Sequence, residues 1–208
     1  MGLKQFFASQ LRKPSGWFGS LLLSRLMNLS NRQLISSTLA ALELNPQHHV
    51  LEIGFGGGLA LSRLCGLLTS GVAWGVDYSP EMVRRAERKF HREIAAGRIR
   101  VQLGEVSRLP FPDIAFDRVF TINTIYFWPD ALQGLSEIRR VLKNDCLAAV
   151  SLRSREKMQR VAFTKHGFHL FEPQEVADLM RQAGFSNVRV DWRDRDKLYD
   201  DVIVVATR

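Results

Sequence analysis

Glu52, Gly54, Gly56 and Gly58 stand at alternate positions in Val50-Leu51-Glu52-Ile53-Gly54-Phe55-Gly56-Gly57-Gly58-Leu59. The run reads as a buried strand (His49 to Ile53), a glycine turn, and a helix from Leu59 to Leu68. Glycines in such a turn let a ligand approach the main chain closely. The carboxyl end of the first strand of an open α/β sheet is where ligands bind. A dinucleotide fingerprint requires glycine or alanine at the sixth place of G-x-G-x-x-G, for close helix–strand packing beside a pyrophosphate. Counted from Gly54, that place is Leu59. A carboxylate at Glu52 would repel a pyrophosphate, but it suits a cationic ammonium group. The alternative for Glu52 is a strand-end carboxylate satisfied by nearby backbone N–H groups.

A second acid, Asp77, ends the strand in Trp74-Gly75-Val76-Asp77-Tyr78-Ser79-Pro80. At a strand end it can accept two hydrogen bonds from ribose hydroxyls. Its alternative role is a helix N-cap, but Ser79-Pro80 already supplies a cap and a proline at the first helical position. A third acid, Glu105, follows the next strand in Val101-Gln102-Leu103-Gly104-Glu105-Val106, ahead of Leu109-Pro110-Phe111.

The E-x-G-x-G-x-G run with its downstream acids resembles class I S-adenosylmethionine-dependent methyltransferases, and within them the ubiquinone and menaquinone C-methyltransferase type. The matches cover residues 49 to about 150, with a weaker one from Phe168 to Phe185. The resemblance implies S-adenosyl-L-methionine as cofactor and S-adenosyl-L-homocysteine as product. It assigns cofactor contacts to Glu52, Gly54, Gly56, Gly58 and Asp77, and adenine packing to Tyr78 and Met82, with core packing the alternative for Met82. Gly104-Glu105-Val106 is similar to the family's G-D-A element, whose acid accepts from the adenine amine. The stretch from Asn123 to Asp130 is expected to close over the methionine moiety and face the acceptor. The usual K-P-G-G turn is replaced by Lys143-Asn144-Asp145-Cys146, and the N-P-P-Y motif of many amino-group methylases is absent.

Methyl transfer from a sulfonium is an in-line displacement on an activated carbon, so the protein mainly aligns the nucleophile and excludes water. Tyr126, Phe127 and Trp128 either hold the sulfonium by cation–π attraction or form an aromatic corner of the core. An acceptor that is protonated at neutral pH needs a base. Tyr126, His166 and His169 are the catalytic candidates; the alternative for the two histidines is exposed loop positions.

Around these residues, strand-like segments at 49–53, 72–77, 99–103, 116–122 and 146–152 alternate with helices at 59–69, 80–96, 130–142 and 173–183. Such alternation predicts a Rossmann-like, doubly wound α/β sheet. Strands at 188–192 and 202–206 are joined by a connector too short for a parallel crossover, so they must pair antiparallel. A seven-stranded sheet, mostly parallel with a C-terminal antiparallel hairpin, is expected. Residues 1–45 read as helical, with Phe18, Leu21, Leu22, Leu26 and Leu29 on one side and a break at Pro14-Ser15-Gly16. Three roles fit them: a layer covering the sheet, a lid hinged near Trp17 and Phe18, or an interfacial membrane contact through residues 12–32. The expected division is thus a helical lid at 1–45 and a methyltransferase domain at 46–208.

A chain of 208 residues suits one such domain. Pro14 to Ser24, the longest uncharged run near the N-terminus, is too short to span a bilayer, and no signal-peptide h-region is seen. Cys65 and Cys146 fit core filling in a reducing, cytoplasmic compartment, and no metal-ligand spacing occurs. The net charge of +8 gathers in three groups, one of them Arg84, Arg85, Arg88, Lys89 and Arg92. On a helix whose apolar face is Val83, Ala86, Phe90 and Ile94, those cations fall on the solvated side. The reading favours a small-molecule acceptor over a lipid or RNA acceptor, or over a scaffold without catalysis, and leaves the oligomeric state open.

Overall fold

The computed structural model describes residues 31–160, 164, 168–193 and 201–208. The expected lid residues Trp17 and Phe18, with the rest of 1–30, lie outside the described residues, as does His166. The elements are α1 (Arg32–Ala41), β1 (His49–Ile53), α2 (Leu59–Leu67), β2 (Val72–Asp77), α3 (Pro80–Lys89), α4 (His91–Ala95), β3 (Ile99–Leu103) and β4 (Phe116–Ile122). A single 3-10 turn (Ile125–Phe127) follows, then α5 (Ala131–Val141), β5 (Leu142–Leu152), α6 (Arg155–Gln159), α7 (Pro173–Gln182), β6 (Ser186–Arg193) and β7 (Asp201–Thr207).

The strands form one sheet in the order β3-β2-β1-β4-β5-β7-β6. β1 pairs in parallel with both β2 and β4, so the chain reverses direction across the sheet at β1. That reversal opens a crevice at its carboxyl end. β7 runs antiparallel to both β5 and β6, as the short connector requires.

Alternation along the strands divides the core into two layers. Leu51, Ile53, Val76 and Val119 face α5 and α7. Val50, Ala73, Phe120 and Ile203 face α1, α2 and α3. Helix α1 is a layer over this second face: Leu34, Ile35 and Leu39 are buried there, and Thr38 Oγ1 meets Ser151 Oγ of β5 at 2.6 Å. At the opposite end of the strands, Asp117 accepts the His49 N–H (2.8 Å) and the Lys143 ammonium (2.7 Å), tying β1, β4 and β5 together.

Three local departures from expectation have physical causes. The helix expected over 80–96 breaks at Phe90, whose buried ring packs toward the Gly58 turn. β5 begins at Leu142 rather than 146, because Leu142 pairs with Phe116 ahead of a register shift that leaves Asp145 at φ +57°. Helix α6, capped by Ser154, is too short to show a periodic signal in sequence.

Gly75 of β2 is where the sheet meets the glycine turn. A Cβ there would lie 2.7 Å from Phe55 Cδ1 and 2.9 Å from Leu61 Cδ1, both in the core. Gly75→Ala is therefore expected to cost about 1–3 kcal/mol of stability through overpacking. Thermal melting checks this; an unchanged midpoint would show that Phe55 repacks freely.

Candidate active site

Glu52 lies opposite Gly75 in the β1–β2 register, and Asp77 stands two residues further along β2. With a side-chain period of two, both carboxylates project to the same face as diagonal neighbours. Each is almost fully enclosed, at 5% and 6% exposure. Asp77 is held by two backbone donors, Ser79 N–H to Oδ1 (2.9 Å) and Gly56 N–H to Oδ2 (3.0 Å). Burial raises its pKa, and those two N–H groups oppose the rise. Glu52 is different, because its Oε2 is buried with no hydrogen-bond partner among the described residues. Burial first, and then the charge of Asp77, push its pKa up from about 4.5 to about 8.

The turn between them needs glycine for two distinct reasons. At Gly54 (φ +72°) a Cβ would lie 2.5 Å from Thr124 Cγ2, so the loop after β4 can seat against the turn. At Gly58, the residue before α2, φ is +67° and a Cβ would meet the Phe90 ring at 2.7 Å. Beside Gly56 no heavy atom lies within 4 Å of a Cβ position, so the turn is open on that side. Lys89 of α3 donates to Gly57 O at 2.9 Å and holds the other side of the loop. An orphaned buried acceptor at Glu52, two further lone pairs on Asp77, and an open turn between them fit a ligand carrying an ammonium and a vicinal diol.

On the β3 side, Tyr78 is 38% exposed next to Asp77, and Glu105 is exposed. Val106 is half-buried near Gly134 and Trp128. Met82 is placed differently from Tyr78: it is buried with the α2–α3 core. The loop carrying Glu105 is fastened to α5. Arg140 donates to Leu109 O, Phe111 O and Asp113 while pairing with Glu137, and Glu137 Oε2 accepts the Leu109 N–H.

On the β4–β5 side, Asn123 adopts a left-handed backbone (φ +56°), and its amide donates to Asn31 Oδ1 at 3.1 Å. Thr121 Oγ1 donates to Ile53 O, Thr124 lies against Thr121, and Trp128 Nε1 donates to Thr124 Oγ1 at 3.2 Å. Tyr126 is buried, and its hydroxyl accepts Arg153 N–H at 2.6 Å and lies 3.0 Å from Arg153 O. That geometry makes Tyr126 a strut between the loop and the end of β5. Its ring, with Phe127 and Phe168, forms an aromatic corner at centroid distances of 4.6–6.3 Å. His169 is exposed, stacks on Phe171 at 4.6 Å, and bonds through its backbone N–H to Tyr126 O. Reading the sequence placed Thr124 in the expected closing stretch without its contact to the turn, and missed Thr121, Lys89, Glu137 and Arg140 as site residues. Of these, only the Glu137–Arg140 pair had a local signal, its i,i+3 spacing on a helix.

Glu52 carries a stability consequence with a definite sign. The folded protein keeps the Glu52 proton up to about pH 8, whereas the unfolded chain releases it near 4.5. Between those values the folded state binds more protons, so this group's contribution to stability falls as pH rises. Glu52→Gln removes that slope. The melting temperature of Glu52→Gln relative to the parent should rise between pH 5 and pH 8; a constant difference would show that Glu52 is not buried as a neutral acid.

Comparison with known proteins bears on the fold and the family. A family profile described as a methyltransferase domain matches residues 51–150. The chain is 26% identical over 169 residues to the uncharacterized methyltransferase YdaC of Bacillus subtilis, covering 81% of this chain and 88% of that protein. It is 31% identical over 135 residues to the ubiquinone/menaquinone biosynthesis C-methyltransferase UbiE of Citrifermentans bemidjiense, covering 62% of this chain and 57% of the relative. In fold it is similar, at TM-score 0.78 and 20% identity, to a chain of the complex between the Haloferax volcanii Trm112 methyltransferase activator and a methyltransferase. That alignment covers 100% of this chain and 98% of the other. With the seven-stranded sheet and these relatives in agreement, the chain carries a methyltransferase domain over residues 51–150 and is similar to the class I S-adenosylmethionine-dependent methyltransferases.

Proposed function

We propose that this chain transfers a methyl group from S-adenosylmethionine to a small, mostly apolar acceptor, and that the acceptor is an aromatic ring of the quinol or phenol kind. The observation that carries the reading is the pair of enclosed carboxylates, Glu52 and Asp77, on either side of an open glycine turn. Glu52 meets the ammonium with its orphaned oxygen. Asp77 accepts the two ribose hydroxyls on lone pairs left over after Gly56 and Ser79 are bonded. Tyr78, with Glu105 and Val106, flanks the adenine. Asn123 borders the methionine end.

When bound, the cofactor supplies a sulfonium-activated methyl carbon. The protein's part is to align the acceptor and exclude water. The aromatic corner of Tyr126, Phe127 and Phe168 provides an apolar wall for this. The C-methyltransferase relative of quinone biosynthesis supports a ring acceptor. If a base is used, His169 is the described candidate on that side, since the Tyr126 hydroxyl is engaged by the Arg153 backbone. The N-terminal segment 1–45 is kept in this reading as the cover over the site; of its residues, Asn31 accepts a hydrogen bond from Asn123. No helix among the described residues is long and apolar enough to cross a membrane.

Two measurements test the reading. Calorimetry is expected to show binding of S-adenosylhomocysteine and none of NAD, with Asp77→Ala weakening the former by roughly 2–4 kcal/mol. Normal binding by a variant that melts much earlier would make Asp77 a structural residue only. Turnover with methyl-labelled cofactor should place label in quinols or phenols of an acceptor panel. Label found only in RNA or in phospholipid vesicles would replace the proposed acceptor class.

A further inference from the structure

Helix α3 touches the glycine turn from both of its ends. At its start, the Asp77 carboxylate bonds Ser79 N–H, at the helix cap, and Gly56 N–H, inside the turn. At its finish, Lys89 Nζ lies 2.9 Å from Gly57 O and 3.5 Å from Gly58 O. The same ammonium sits 4.6 Å from the centroid of the Phe90 ring, which packs where a Gly58 side chain would otherwise be. Turn carbonyls are thus gripped by a cation and a turn N–H by an anion. Charge-assisted hydrogen bonds of this kind are about twice as strong as neutral ones. Lys89 is exposed, as the basic face read from sequence requires, yet its ammonium is anchored to the turn.

We propose that Lys89 is a positioning residue for cofactor binding: it clamps the carbonyls of Gly57 and Gly58 and offsets the crowded negative charge of Glu52 and Asp77, so that Glu52 can meet a ligand ammonium as a carboxylate. The inference rests on the assignment of Glu52 to that ammonium. The groups acting on Glu52 are Asp77 from β2, which disfavours its ionisation, and Lys89 from α3 with the Leu61 N–H from α2, which favour it. Arg85, one turn back on α3, acts on Lys89 in turn, and with burial it lowers the Lys89 pKa, while Glu52 raises it.

Calorimetric titration of the full chain with S-adenosylhomocysteine from pH 6 to 8.5 tests the proposal. Lys89→Met removes both grip and charge, Lys89→Gln keeps a donor for Gly57 O without the charge, and Lys89→Arg keeps both. Lys89→Met should bind about tenfold more weakly at pH 7. In both neutral variants, the pH at which affinity reaches half its maximum should move upward by about half a unit or more. Lys89→Gln should recover affinity at high pH, and Lys89→Arg should restore the parent profile. An unshifted midpoint in both Lys89→Met and Lys89→Gln, or unchanged affinity in Lys89→Met, overturns it. Failure of the parent itself to bind S-adenosylhomocysteine would instead overturn the assignment of the site.

Discussion

Two carboxylates on adjacent strands, both withdrawn from water, set the terms for the rest of this molecule. Glu52 and Asp77 share one face of the sheet at 5% and 6% exposure, and the one raises the pKa of the other. Enclosing acids costs free energy unless something compensates them. The protein compensates Asp77 with the Gly56 and Ser79 N–H groups and leaves one oxygen of Glu52 without a partner. Burial raises the Glu52 pKa, and a cation placed beside it would favour the carboxylate. Such an arrangement trades some stability of the empty protein for differential interaction with a ligand.

The sheet order creates this site, because β1 lies between β2 and β4 and the chain leaves it in opposite directions across the sheet. The crevice at that reversal is bounded by three loops, and each is fastened by a different interaction. The glycine turn is held by Asp77 on one side and Lys89 on the other. The loop after β3 is held by the Glu137–Arg140 pair, whose guanidinium satisfies two backbone carbonyls at once. Hydroxyl groups of Thr121 and Thr124, with the indole of Trp128, hold the loop after β4. Loops of a binding site gain precision when polar groups on rigid helices and strands fix them.

The proposed cofactor side and the proposed acceptor side differ in chemistry. The first is built of carboxylates and main-chain groups that recognise charge and hydroxyls. The second is an aromatic corner closed by Tyr126, whose hydroxyl is occupied by the Arg153 backbone. The likeness to methyltransferases rests on the sequence relatives and the domain match, with the fold in agreement. The proposed ring acceptor is supported by the second side and by the name of the quinone C-methyltransferase relative.

The sequence by itself determined the alternation of strands and helices, the antiparallel ending and the turn with its flanking acids. Each of these is a local pattern: a period of two against one near 3.6, a connector too short to cross over, glycines next to an acid. Element ends shifted where side chains from distant segments intervened, as Phe90 broke a helix by packing toward Gly58. Only the tertiary structure decided which groups meet. Thr124 stands seventy residues from Gly54 and Lys89 thirty-two from Gly57, yet each lies against the turn. Nothing at those positions announces the contact, because it depends on which strands are neighbours and which way a helix crosses them. The same holds for Met82, which looked like a companion of Tyr78 in sequence but faces the core. Adjacent strands brought two separately legible acids onto one buried face, and that juxtaposition is a property of the packed sheet rather than of either residue.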